Sequence, residues 1–149
     1  MSGLYFEEFS VGQKVITVGR TLSESSIFDF AGLTGDYNQI HTDAEFARAT
    51  PFGQRIAHGL LGLSIGIGLL MRTGVLEGTV LAFREINEWK FVKPIFIDDT
   101  LHAQLEVTDL KALPRLGAGS VTALVQVLNQ SGEVCQKGSL NLLVMSKAA

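Results

Sequence analysis

Residues 56–71 form an almost unbroken apolar run, and that run limits what the rest of the chain can be. The run is shorter than the roughly 20 residues a bilayer-spanning helix needs, and His58, Ser64 and several glycines interrupt it, so no membrane span is expected. A helix that is apolar all round belongs in a protein core. Gly59, Gly62 and Gly66 recur at three- and four-residue spacing on one face, where a sheet or partner helix could approach closely, at a helix-propensity cost of about 1 kcal/mol each. Such a helix has to be held by its surroundings.

The surroundings read as strands. Residues 80–89, 101–110, 120–128 and 134–145 are long and β-rich, and Leu101, Ala103, Leu105 and Val107 alternate with His102, Gln104 and Glu106 to give one buried and one wetter face. Asn129-Gln130-Ser131-Gly132 reads as a hairpin turn, residues 94–100 as a connection, and residues 111–119, with Pro114, Gly117 and Gly119, as the loosest internal loop. Upstream, the β-branched stretch at residues 13–22 predicts a first strand at an edge, with Gly19 at a bulge or close approach. Ser23 then caps a helix with Ile27, Phe30 and Ala31 on its apolar face, ending near Gly35. Thr42-Asp43-Ala44-Glu45 reads as a capping box opening a short helix that stops before Pro51. No helices separate the later strands, which disfavours a parallel sheet. The expected architecture is α+β: one domain over residues 1–149, with a long central helix wrapped by an antiparallel sheet of about five strands.

Composition narrows the partners. A chain of 149 residues that is 46% hydrophobic and 18% charged suits one globular domain. A formal net charge of −3 argues against nucleic acid as the main partner, while Arg84, Lys90, Lys93, Lys111 and Arg115 are either phosphate-binding candidates or an ordinary solvated surface. Cys135 is the sole cysteine, so no intrachain disulfide is possible; a reducing compartment such as the cytoplasm is expected, with Cys135 a small buried hydrophobe. Residues 1–9 lack the basic and apolar regions of a signal peptide.

Chemistry concentrates in Gly35-Asp36-Tyr37-Asn38-Gln39-Ile40-His41 and in His58-Gly59. Asp36 and His41 have different intrinsic pKa values and could share one water, one accepting and one supplying a proton; equally, they could cap local backbone. Asn38 could orient a neighbour or form an Asx-turn. Gly59 offers a backbone N–H at a helix N-terminus, suited to a developing oxyanion, or it merely permits close packing. His58 is a second base or a structural residue, and His102 is read as surface. Ser64 has no neighbouring base in sequence, no His/Cys spacing suggests zinc, and no Gly-rich phosphate loop follows a strand.

Thr34-Gly35-Asp36-Tyr37-Asn38-Gln39-Ile40-His41, followed by Ile56-Ala57-His58-Gly59, closely resembles the hydratase motif of MaoC-like dehydratases, the (R)-specific enoyl-CoA hydratase group. The likeness extends to Tyr5-Phe6-Glu7-Glu8-Phe9 with Val11-Gly12, and to Phe91-Val92-Lys93-Pro94 leading to Asp99-Thr100-Leu101. It implies a single hot-dog fold, a dimer or dimer of dimers with acyl-thioester sites at or near the subunit interface, and no cofactor beyond the coenzyme A of the substrate. It also implies that Asp36 and His41 are the catalytic pair and that Gly59 supplies the oxyanion amide, with Asn38 in support. Asn38, His58 and Leu63 are expected against the substrate. The chain departs from the family pattern at Gln39, where proline is usual, and at Asp98, where glycine often stands; the first would loosen the loop and the second alter a turn.

The activity this implies is reversible hydration of a trans-2-enoyl-CoA to the (R)-3-hydroxyacyl-CoA, with Asp36 and His41 activating one water. Acyl-thioester hydrolysis on the same fold is one alternative, and a non-catalytic thioester-binding subunit is another.

Overall fold

The structure, a computed structural model, describes residues 3–147. In chain order its elements are β1 (Lys14–Ile16), β2 (Arg20–Thr21), α1 (Glu24–Thr34), α2 (Gln39–Thr42), α3 (Ala44–Arg48), α4 (Gly59–Met71), β3 (Val80–Phe91), β4 (Thr100–Leu113), β5 (Ala118–Leu128) and β6 (Val134–Met145), with single 3-10 turns at Phe6–Glu8 and Pro114–Leu116. The strands pair in the order β1-β4-β5-β6-β3, with β2 also on β4, and every pairing is antiparallel. This is the expected helix wrapped by a sheet, built from six strands rather than five.

The sixth strand arises because the segment at residues 13–22 breaks in two. Thr17 donates its N–H to the Ala103 carbonyl at 3.0 Å while its own Oγ1 accepts from Ala103 N at 2.9 Å, so a hydroxyl takes a place in the ladder that a backbone carbonyl would have filled. A Cβ on Gly19 would lie 3.0 Å from Thr100 Cγ2, the close approach expected there. The loop expected at residues 111–119 is mostly strand. β4 and β5 stay paired out to Leu113 and Ala118, and the turn is confined to Pro114–Leu116 and to Gly117 at φ 59.

α4 lies on the concave side, where Leu101, Ala103, Leu105 and Val107 of β4 are all buried. Its glycine stripe faces the sheet and the segments beside it: a Cβ on Gly66 would come within 2.7 Å of Val127 Cγ2, and one on Gly59 within 2.7 Å of Phe91 Cε1. The other flank is open. Leu60, Ser64, Gly68 and Met71 are exposed, so α4 is buried on one side only in the single chain, contrary to a core helix enclosed all round. Among the described residues no helix is long and apolar enough to cross a membrane. Cys135 is fully buried, and burial above all, then nearby Asp99 and Glu133, pushes its thiol up, which suits an inert hydrophobe.

Candidate active site

Three helix ends deliver the polar groups. α1 starts where Ser23 Oγ accepts from Ser26 N and stops at Gly35, whose φ of 80 needs a residue without a side chain and throws the chain outward into Asp36. Asp36 Oδ1 accepts from Asn38 N at 3.2 Å, and Asn38 Oδ1 accepts from Ile40 N at 3.2 Å. Asn38 is therefore the Asx-type N-cap of α2; its backbone N–H holds Asp36 Oδ1 and its carbonyl accepts from His41 N at 2.9 Å, while among the described contacts its side chain reaches no other group of the site. His41 sits within that four-residue helix rather than in a loop. The next cap is Asp43, not Thr42: its Oδ1 accepts from Glu45 N and Phe46 N, both at 3.0 Å, so the aspartate caps α3 and no capping box centred on Thr42 forms.

His41 is oriented by a residue far along the chain. Its Nδ1 lies 2.7 Å from the Ile56 carbonyl, which can only accept, so Nδ1 carries the proton and Nε2 is left with a lone pair. His58, buried at 2% exposure, donates from Nε2 to the Asp36 carbonyl at 2.8 Å, and its Nδ1 has no hydrogen-bond partner among the described residues. The two imidazoles stack with centroids 3.9 Å apart and planes 29° from parallel, and the Phe30 ring packs against His58 with centroids 4.8 Å apart and planes tilted by 54°. Burial, helped by neighbouring His58, lowers the His41 pKa below its usual 6.5, outweighing the Ile56 carbonyl and Asp36, which push it up. His41 is thus neutral near pH 7 and able to accept a proton.

A carboxylate oxygen of Asp36 and one ring nitrogen each of His41 and His58 all lie within 4.8 Å of one another. Groups at that separation can hold one water between them, since each hydrogen bond spans about 2.8 Å. The same trio is a poor metal cage. His41 Nδ1 and His58 Nε2 are committed to carbonyls, which leaves each ring one nitrogen to offer.

Beside the trio lies an apolar cavity of about 570 Å³ that His41 and Gly59 both line. The Gly59 N–H is the first of α4, where no intrahelical acceptor exists and the helix dipole is positive. Asp36 is exposed and stands outside the lining. Leu63 is buried and does not line the cavity; Leu60 does. Of the five scattered cations, the lining includes Lys93 alone, and Lys93 is paired with Glu133. Phe91 also lines it, within the Phe91-Val92-Lys93-Pro94 stretch, as do Phe52 and Gln136, which no short motif marks.

These features place the chain in a class. It belongs to the MaoC-like domain family, whose model, described as a MaoC like domain, matches residues 7–129. Over 143 residues it is 31% identical to the (R)-specific enoyl-CoA hydratase of Rhodospirillum rubrum, covering 96% of this chain and 93% of that protein. It is 36% identical over 101 residues to Protein MaoC of Klebsiella aerogenes, covering 68% of this chain but spanning only 30% of that longer protein. An X-ray structure named as the monoamine oxidase regulatory protein from Archaeoglobus fulgius aligns with a TM-score of 0.92 at 35% identity, covering 99% of this chain and 98% of that one.

Proposed function

We propose that the chain hydrates trans-2-enoyl-CoA reversibly to (R)-3-hydroxyacyl-CoA. The observation that carries this is the convergence of the Asp36 carboxylate and the His41 imidazole within 4.8 Å, beside an apolar cavity that also receives the start of α4. The acyl thioester lies in the cavity with its carbonyl oxygen on the Gly59 N–H. One water sits between Asp36 and His41. Asp36 accepts a hydrogen bond from one O–H of this water, whose hydrogen stays on the oxygen, and neutral His41 Nε2 takes the proton of the other O–H as oxygen bonds to C3. The displaced π-electron pair moves toward C2 and the thioester oxygen, whose growing negative charge the Gly59 N–H and the helix dipole stabilise. The His41 imidazolium then returns the proton to C2, so one water is consumed, all protons are accounted for, and no separate cofactor takes part.

The working unit is a homodimer. β3 ends the sheet with its outer edge unpaired among the described residues, and Leu81, Phe83, Ile86 and Phe91 are exposed along it, as is Leu60 on the open flank of α4. A second copy related by a two-fold axis would cover both surfaces. Purified protein should remove the absorbance of the conjugated thioester of crotonyl-CoA. His41→Ala and Asp36→Ala should each lose about 10²- to 10⁴-fold in kcat while melting near wild type. Unchanged rates in both variants, or release of free thiol without loss of the conjugated chromophore, would sink the assignment.

A further inference from the structure

Gln136 lies on β6 at 2% exposure and, among the described residues, is the only primary amide lining the apolar cavity. Burying such a group is costly unless it is bonded. Its Nε2 donates to the Gly59 carbonyl at 2.9 Å, and its Oε1 accepts from Trp89 Nε1 at 3.2 Å. A line of hydrogen bonds therefore runs from β3 through β6 to the first residue of α4.

The backbone on three sides is shaped around that amide. A Cβ on Gly62 would meet the Gln136 amide and would lie 2.7 Å from Ile95 Cδ1, so a glycine at this point of α4 leaves the space that the amide fills. In β6 the register slips between Val127 paired with Gln136 and Leu128 paired with Val134, which leaves Cys135 as an extra residue and sets both Cys135 and Gln136 inward. The Cys135 carbonyl accepts from Val92 N at 2.7 Å and Lys93 N at 3.0 Å, tying the bulge to the cavity wall. In β3 a second register slip spans Asn87 to Lys90, with Glu88 at φ 51, and Trp89 packs over Gly138, where a Cβ would sit 2.6 Å from Trp89 Cε3. A positive φ at a glutamate is strained, and here it accompanies the inward turn of the one side chain that holds Gln136.

The group at the end of this line needs holding. Glycine has the freest backbone of any residue, yet a donor for a developing oxyanion has to be fixed in direction before the reaction starts. The peptide before Gly59 is fixed by the His58 carbonyl, which accepts from Leu61 N at 3.1 Å and Gly62 N at 3.3 Å. The peptide after it is fixed from the sheet by Gln136. We propose that Gln136 is a positioning residue, which with Trp89 behind it clamps the Gly59 carbonyl so that the Gly59 N–H stays aimed at the thioester oxygen. The proposal rests on the enoyl-thioester reading of the cavity.

The test uses the full chain, crotonyl-CoA for rates and cinnamoyl-CoA as a bound chromophore that absorbs further to the red as its thioester carbonyl is polarised. Gln136→Met and Gln136→Leu keep the wall of the cavity and remove the clamp. Each should lower kcat about tenfold with KM nearly unchanged, and should lose most of the red shift of the bound chromophore. Trp89→Phe should lower kcat about threefold, and adding it to Gln136→Leu should cost nothing further, because both act on one line of bonds. Should the Gln136 variants fail to fold, Trp89→Phe decides by its red shift and kcat. Wild-type kcat and red shift in the folded variants overturn the inference and leave the hydratase reading standing. A wild-type protein with neither hydration of crotonyl-CoA nor a red shift overturns both.

Discussion

The two ends of the glycine stripe on α4 are made of the same residue and serve different purposes. At Gly66 the missing side chain is replaced by fully buried Val127, and nothing polar is near. At Gly59 the neighbour is Phe91, 56% exposed and able to move, and what the glycine exposes is a backbone N–H at the mouth of a cavity. Spacing alone makes the two positions equivalent. What lies opposite decides whether the space left by a glycine is filled by the core or borders a cavity.

Substituting each end in turn breaks the comparison most directly. Gly59→Ala should cost about 10²-fold in kcat, because the new methyl competes with Phe91 and with the substrate for the space beside the N–H, while the denaturant midpoint barely moves. Gly66→Val should do the reverse: overpacking against Val127 costs about 1–3 kcal/mol in urea unfolding, with kcat per folded molecule unchanged. A Gly66 variant that lost rate without losing stability would collapse the distinction.

The comparison sharpens with pH, since the polar end titrates and the apolar end does not. His41 is held below its ordinary 6.5, chiefly by burial, and in the proposed reaction the neutral ring is the base. The rate should stay level as pH falls through 6.5 and drop only at the lower folded pKa; an inflection in kcat/KM above 6.5 contradicts the assignment. The stability effect has the matching sign. Below about 6.5 the unfolded ring binds a proton that the folded ring refuses, so stability falls with pH between the unfolded and folded pKa values and then levels off. His41→Gln should remove that part of the pH dependence of the urea midpoint.

The smallest effect is expected at Asp98, away from both ends. Its φ of 73 lies in the left-handed region, which accounts for the glycine usual there and for the tolerance of aspartate. Asp98→Gly should change the free energy of unfolding by no more than about 1 kcal/mol and leave kcat alone.

Much of the fold is legible in the amino-acid order alone. The alternation in residues 101–107, the apolar run and the glycine spacing each report a period, and period is a local property. The local signal misleads where a tertiary contact overrides it. Thr17 interrupts a strand because its hydroxyl reaches Ala103. Pro114 and Gly117 crowd into one short turn because β4 and β5 pair right up to it. Gln136 carries no signal of its own, because the residues around it read as ordinary in-and-out alternation and only the bulge at Cys135 puts two successive side chains inside.

The sequence by itself determined which groups are available: a carboxylate, two imidazoles and a glycine at a helix start, with a helix too apolar to stand in water. The tertiary structure decided their chemistry. The His41 ring nitrogen that stays free depends on a carbonyl fifteen residues away, at Ile56, and the neutrality of that ring depends on burial beside His58. The Gly59 carbonyl is held by a glutamine and, behind it, a tryptophan from two later strands. Periodicity and caps are written within a few residues of chain, whereas hydrogen-bond partners, desolvation and uncovered flanks exist only once distant segments meet.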